Sequence, residues 1–402
     1  MKGKNMKKVL LLGGSHFQVP SVKCAKRLGY HTITCDYLPD NPGHKFADEY
    51  YNVSTTDKEA VLKLAQDLKI DGIVCYASDP SAPTAAYVAE KMGLSGQPYK
   101  SVEILSNKDL FRQFLTENGF NVPRARGFTK KEEAHADWDN FKKPVMVKPV
   151  DSSGSKGVSK IETSDELDNA IDYALSFSRC KRFIIEEYIE KTGYQVDGDG
   201  FSVNGKLVFW AFGNQHNDLQ CNPYVPAGIS LPYHMEPIKQ QKLVDQIQKT
   251  FDLLHLQSGA YNFEARFDEQ GIPYILEIGP RNGGNLIPQI TKYATGVDMI
   301  EYTIKAAMGE DISDLKQVAA NQFIASYIIH SKKDGILKKI NISDEIKHNI
   351  LEYDMISKEG DAVIKFNGSN GTLGTMILKF DSMEEMLHKM DNMDDYVKVV
   401  VE

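Results

Sequence analysis

Short apolar runs alternate with helical periodicity through the first hundred residues. Val9-Leu10-Leu11-Leu12 is an unbroken run of the kind a strand shows when both faces are covered, and Gly13-Gly14 ends it. Ser21 to Leu28 carries a helical pattern closed by Gly29, and Thr32-Ile33-Thr34-Cys35 predicts a second strand with Asp36 at its carboxyl end. Thr56-Asp57-Lys58-Glu59 reads as a capping box. It opens a helix whose Val61, Leu64, Ala65 and Leu68 share one face. Ile73-Val74-Cys75-Tyr76 predicts a further strand, and Thr84 to Met92 a helix before Gly93. This alternation predicts a parallel sheet with helices on both faces.

The middle of the chain changes character. Asn107-Lys108-Asp109 opens a helix with Leu110, Phe111, Phe114 and Leu115 as apolar positions, stopped by Gly119. In the strand around Val145-Met146-Val147-Lys148, Val145 and Val147 face one side, Met146 and Lys148 the other. A lysine in an apolar strand must find an anion or reach water. Directly after it, Ser152, Ser153, Gly154, Ser155, Lys156, Gly157 and Val158 form a small-residue loop that lets backbone N–H groups approach phosphate oxygens. It lacks the GK[ST]-to-helix pattern of a Walker A loop and joins two strands instead. Phe183 to Ile189 is a strand running into an exposed segment, where Glu186 and the backbone near Ile189 are placed to meet an adenine edge.

Two alternating stretches, Tyr261 to Phe267 and Ile272 to Ile278, flank Gly271 and predict a hairpin. Phe263, Ala265 and Phe267 face a core; Asn262, Glu264 and Arg266 face away. A two-residue turn sets Glu264 opposite Glu277, and a four-residue loop sets it opposite Ile275 with Glu277 one step diagonal. Either register brings two carboxylates together, which is unfavourable without a counter-cation. Mg²⁺ favours one or two carboxylates plus phosphate oxygens. Four residues past Glu277, in a glycine-bearing turn, Arg281 is placed to hold a phosphoryl group or charged intermediate. From Ala319 onward the chain reads as strands, Phe323 to Ile329, Ala362 to Phe366, Thr375 to Phe380 and Tyr396 to Val400, with a helix over Ser382 to Met390.

Composition alters this picture little. The 402 residues are 42% apolar and 25% charged, an ordinary globular balance with room for two or three domains. The net charge of −8 argues against a broad basic face for nucleic acid. No apolar run approaches the roughly 20 residues of a membrane span. Met1-Lys2-Gly3-Lys4 is basic, but the apolar run after it is too short for a secretory signal, so a cytoplasmic protein is expected. Cys24, Cys35, Cys75, Cys180 and Cys221 form no CxxC pair and match no zinc spacing; mostly buried, reduced thiols are expected. The turn after the first strand lacks the third glycine of GxGxxG, so a nicotinamide oxidoreductase is a poor reading.

The order of these features — lysine at a helix start, strand lysine, small-residue loop, Glu-Glu-Tyr-Ile, two hairpin glutamates, then Pro280-Arg281-Asn282-Gly283-Gly284 — resembles the ATP-grasp superfamily over nearly the whole chain. It resembles in particular the group holding phosphoribosylglycinamide synthetase, the ATPase subunit of phosphoribosylaminoimidazole carboxylase, biotin carboxylase and the carbamoyl-phosphate synthase large chain. The resemblance implies a multidomain α/β and α+β fold. It comprises a Rossmann-like pre-ATP-grasp domain over 1–105, an ATP-grasp domain over 106–310 with a mobile lid at about 127–189, and a small C-terminal β-rich domain over 311–402.

It also implies roles. Lys108 and Lys148 match lysines on the nucleotide phosphates, with Lys148 catalytic; residues 152–158 match the lid loop; Glu186, Glu187, Tyr188 and Ile189 match the adenine hinge. Glu264 and Glu277 match the metal ligands, and Arg281 the arginine near the acyl phosphate. Two positions depart. Gly279 stands where the group commonly has an asparagine, leaving Asn282 to substitute for it, and Gln195 stands near the usual ribose-contacting glutamate. Gly14, Ser15, His16, Asp79, Arg281, Gly283 and Gly284 are placed around the substrates.

The implied activity is an ATP- and Mg²⁺-dependent (Mn²⁺ as an alternative) carboxylate–amine ligase that forms a C–N bond through an acyl phosphate, with phosphoribosylglycinamide synthetase as one example. Small-molecule substrates are expected, no nucleic-acid or membrane partner, and a homodimer is open. The alternatives are a bicarbonate-using or carbamoyl-phosphate synthase-like enzyme and a non-catalytic nucleotide-binding module. The chain has no biotin-acceptor Met-Lys-Met segment and no recognisable glutaminase nucleophile motif.

Overall fold

Strands Lys8–Leu12, His31–Cys35, Glu49–Tyr51 and Gly72–Cys75 form a parallel sheet in the order third, second, first, fourth. The structure, a computed structural model, describes residues 6–402; the basic start at Met1–Lys4 lies outside the described residues. The unbroken apolar run of the first strand has a plain cause, since both faces of the sheet are covered. Val9 and Leu11 pack with Val22 and Ala25 of helix Val19–Arg27. Leu10 and Leu12 pack with Val61 and Ala65 of helix Lys58–Leu68 and with Val88 and Ala89 of helix Ala82–Met92. Leu10 is fully buried, so Leu10→Ala costs about 2–5 kcal/mol. Ile304 and Met308, well over 200 residues later in the chain, complete the first of these two cores. The expected capping box shifts by one residue: Asp57 is the cap and accepts the Ala60 N–H at 3.1 Å.

A four-stranded antiparallel sheet follows, in the order Ala125–Phe128, Phe183–Glu187, Val145–Pro149, Ser159–Ile161. Val145, Val147, Phe183 and Ile185 pack on Leu167 and Ile171 of helix Leu167–Phe177. Met146, Lys148 and Glu186 take the other face and look into a cavity.

The largest sheet has eight antiparallel strands. Their order is Pro273–Gly279, Gly259–Phe267, Val196–Val203, Lys206–Asn217, Pro226–Leu231, Phe323–His330, Thr372–Phe380, Ile350–Met355. Pairing of Pro226–Leu231 with Phe323–His330 carries this sheet into the C-terminal segment. A three-stranded sheet of Gly335–Ile342, Ala362–Val363 and Val397–Val401 stands beside it. The strands Gly335–Ile342 and Ile350–Met355 escape the sequence pattern because polar residues interrupt both and most of the second is exposed. The expected strand over Ala362 to Phe366 stops at Val363, beyond which Lys365 makes one isolated bridge to Ser331.

Candidate active site

The parallel sheet, the four-stranded antiparallel sheet and the eight-stranded sheet meet around a cavity of about 960 Å³. Its floor is the hairpin Gly259–Phe267/Pro273–Gly279, whose loop is closed by Gly271, at φ +70°, donating its N–H to the Asp268 carbonyl at 3.0 Å. Neither expected register holds throughout. Phe267 faces Pro273 and Ala265 faces Ile275; the register then shifts, and Glu264 faces Glu277. The extra residue is Leu276, a β-bulge. In the outer register alone, Glu277 would lie opposite Phe263, on the core face. The bulge turns both Leu276 and Glu277 into the cavity.

Charge follows from this pairing. Burial, with Glu277 and Asp197 close by, pushes the Glu264 carboxyl up to about 8. Burial also opposes ionisation of Glu277, but Lys108 outweighs it and draws that carboxyl below its ordinary value. Lys108 Nζ donates to Glu277 Oε2 at 3.0 Å and to the Ser152 carbonyl at 3.0 Å. Two facing half-buried carboxylates, one driven to keep its proton, are what a divalent cation would relieve. The donor set therefore fits Mg²⁺.

Lys148 and Glu186 form a buried ion pair, and Arg112 Nε donates to Glu186 Oε2 at 2.9 Å. One carboxylate thus serves two cations. Although burial opposes it, the Glu186 carboxyl is held down at about 2 by Arg112 and Lys148. Lys148 is pushed below its ordinary value by burial and by the neighbouring Arg112, despite Glu186. The triad carries one uncompensated positive charge at the cavity wall, which suits a phosphate.

Glu186 is 3% exposed and committed to this triad, so its carboxylate is not free for an adenine edge, contrary to expectation. Glu187, Tyr188 and Ile189 line the cavity. Arg266 lies 5.0 Å from the Tyr188 ring centre, and it donates to the Ile189 carbonyl at 2.8 Å and to Gln195 Oε1 at 2.8 Å. Gln195 Nε2 donates to Glu264 Oε2 at 3.1 Å, which ties the expected ribose position to the acid pair.

In the loop after Lys148, Ser152, Ser153, Gly154, Ser155, Lys156 and Val158 line the cavity. Gly157 does not; a Cβ there would press on Phe177 and Pro149 at 3.1–3.2 Å. The Ser155 hydroxyl donates to the Tyr224 carbonyl at 2.5 Å.

Arg281 is 9% exposed and grips Asp79 Oδ1 through Nε at 2.6 Å and Nη2 at 2.5 Å. Asn282 is fully buried and turned away: its Oδ1 accepts the Thr303 hydroxyl at 2.9 Å. It therefore offers no oxygen to a second metal ion. Gly284 lines the cavity, whereas the Gly283 N–H donates to both Asp199 oxygens at 2.8 and 2.9 Å. Ser15 lines the cavity; Gly14 is backed by His44, and His16 points to Asp354 at 3.3 Å, outside the cavity.

Three polar residues were missed. Arg112 lies four positions after Lys108 on the same helix face, which was its signal. Asp197 and Asp199 alternate with glycines within a strand; burial raises them to about 6 and about 7, and both accept from Asn262 Nδ2, at 3.0 and 3.2 Å. The glycines between them are forced, since a Cβ at Gly198 would lie 2.2 Å from the Ala211 carbonyl. Away from the cavity, Asp218, Cys221 and His330 gather with ligating atoms within 4.8 Å, a cluster that cysteine spacing does not signal. All five cysteines are free, but only Cys24 and Cys35 are buried and Cys180 is exposed.

The ATP-grasp domain family matches residues 141–289 of the chain. It is 27% identical over 330 residues to an uncharacterized protein of Sinorhizobium fredii, covering 80% of this chain and 67% of that one. It is 29% identical over 234 residues to a formate-dependent phosphoribosylglycinamide formyltransferase of Parasynechococcus marenigrum, covering 56% of this chain and 59% of that one. Its fold superposes on L-amino acid ligase from Bacillus licheniformis with a TM-score of 0.82 at 21% identity, over 100% of both chains. Among the described residues no helix is long and apolar enough to cross a membrane.

Proposed function

We propose that the protein is an ATP- and Mg²⁺-dependent ligase joining a carboxylate to an amine. The observation that carries this reading is the Glu264–Glu277 pair, set across one ladder, with Lys108 bonded to one acid and the Lys148 triad beside it. Glu264 and Glu277 would hold Mg²⁺, which would neutralise charge on the phosphate oxygens. With Gly279 bare and Asn282 turned away, these two acids and the nucleotide supply the ligands.

A substrate carboxylate oxygen attacks the γ-phosphorus, the bond to ADP breaks, and an acyl phosphate forms. The amine nitrogen then attacks the acyl carbon and phosphate leaves. Lys108, Lys148 and Arg281 position and neutralise the transferring group. The loop at 152–158 excludes water that would hydrolyse the acyl phosphate.

Phosphoribosylglycinamide synthetase-like chemistry is one instance of this reaction, and a bicarbonate-using enzyme would share its first step. The test is ADP formation by Glu277→Gln. Activity dependent on Mg²⁺ should vanish while circular dichroism and melting behaviour persist; retained turnover would remove the metal assignment. A bicarbonate arm in the same assay separates a carboxylase from a ligase that requires a paired carboxylate and amine.

A further inference from the structure

The cavity wall built by the first domain differs in charge from the rest. Elsewhere the lining includes Lys108, Lys148, Lys156 and Arg281. The first-domain lining includes Phe17, Asp36, Tyr37, Leu38 and Asp79, and none of its residues is a lysine, arginine or histidine. The histidines nearest to it are engaged elsewhere. His16 faces Asp354, and His44 sits between Thr34 Oγ1 at 2.9 Å and the Leu38 carbonyl at 3.1 Å.

Helix starts at the carboxyl end of a parallel sheet are common phosphate sites. Here the chain fills them with its own oxygens. The Gly13 N–H donates to the Cys35 carbonyl at 2.9 Å, the Gly14 N–H to Asp36 Oδ2 at 3.2 Å, and the Ser15 N–H to Gln18 Oε1 at 2.9 Å. Asp79 stands in front of helix Ala82–Met92. A phosphate dianion at the first place would lie beside the Asp36 carboxylate; at the second it would meet Asp79 already paired with Arg281.

The same wall suits a cation. Both Arg281 bonds go to Asp79 Oδ1, which leaves Oδ2 without a partner among the described residues. Beside Asp36, the rim exposes Tyr37 at 61% and Leu38 at 47%, large apolar groups next to a charged pocket. Resting on the ligase reading above, we infer that the substrate meeting this wall is an unphosphorylated amine with an apolar substituent, of the amino-acid class. Its ammonium faces Asp79 and its apolar group faces Tyr37 and Leu38. A phosphoribosyl amine would set its phosphate against Asp36, where the Gly14 N–H is already taken.

The test uses the full chain with Mg²⁺. Binding of a non-hydrolysable ATP analogue is measured first by calorimetry. Phosphate release from ATP is then screened with L-leucine, L-methionine and L-phenylalanine, singly and in pairs, and with glycinamide ribonucleotide. Stimulation by the apolar amino acids and none by the ribonucleotide is expected. Leu38→Ala and Tyr37→Ala should raise KM for the amino acid about tenfold, with KM for ATP unchanged. If the analogue binds but the ribonucleotide stimulates, or no amino acid stimulates, the inference is overturned and the ligase reading stands. Failure of the analogue to bind removes the ligase reading itself.

Discussion

Glu186→Gln tests the buried triad directly. The substitution keeps the shape but leaves buried Arg112 and half-buried Lys148 without a counter-charge. Arg112 Nη1 already lacks a partner, so nothing nearby takes over. Breaking a buried pair from one side costs about 3–5 kcal/mol. The direction agrees: Arg112 and Lys148 draw the carboxyl down from 4.5 to about 2, so the ionised form is favoured in the folded chain.

The sign is fixed by that direction. Glu186 is more acidic folded than unfolded, so its contribution is complete well above pH 4.5 and declines as pH falls toward 2. At pH 4 part of it is already gone. Urea unfolding of both proteins at pH 7 and pH 4 should show a gap of a few kcal/mol that narrows at the lower pH. Replacing Arg112 and Glu186 together by methionine should cost less than Glu186→Gln, because one stranded cation remains instead of two. A pH 7 gap below about 1 kcal/mol, or a gap that widens on acidification, would refute the reasoning.

Limited proteolysis should cut within 152–157 in the free protein and be suppressed by Mg²⁺ with a non-hydrolysable ATP analogue; unchanged cutting would argue against a closing loop. Arg281→Lys loses the two-pronged grip on Asp79, so kcat should fall about 10²-fold or more with KM for ATP little altered. A fall in ATP affinity alone would place Arg281 in nucleotide binding instead. Asp199→Asn removes a carboxyl pushed up to about 7 by burial. Because that acid is harder to ionise folded than unfolded, the wild type loses stability as pH rises from about 4 to 7, and the variant should lack this slope in its melting temperature.

Much of the fold is written in local pattern. The first sheet is legible because a covered parallel strand must be apolar on both sides, as Val9 to Leu12 are. Lys148 is legible because a lysine among Val145, Met146 and Val147 demands an anion. What escaped depends on partners distant in sequence. Arg112 shares the helix face of Lys108, but its partner Glu186, 74 positions away, is not announced by any local pattern. Asn282 follows Arg281 in a glycine-bearing turn, and only Thr303, on a helix further along the chain, decides that it faces inward. The continuous eight-stranded sheet rests on a pairing between residues 226–231 and 323–330 that no nearby turn announces.

The pairing of Glu264 with Glu277 was legible, but the register that achieves it was not. Strict alternation through Ile272 to Ile278 would put Ile275, Glu277 and their odd-numbered neighbours on one face, so the glutamate would share its face with a core isoleucine. The structure resolves the conflict by spending one residue. Ile275 is 2% exposed and faces the core, Leu276 and Glu277 both face the cavity, and Ile278 is fully buried again. The adjacent apolar pair Ile275-Leu276 was the visible trace of this, since a half-buried strand has no other reason to place two aliphatic residues side by side. The bulge lets a single hairpin serve both ends, pinning its outer turn by core packing while delivering two carboxylates to one point. An acid pair made this way is held by the register of the sheet rather than by a loop.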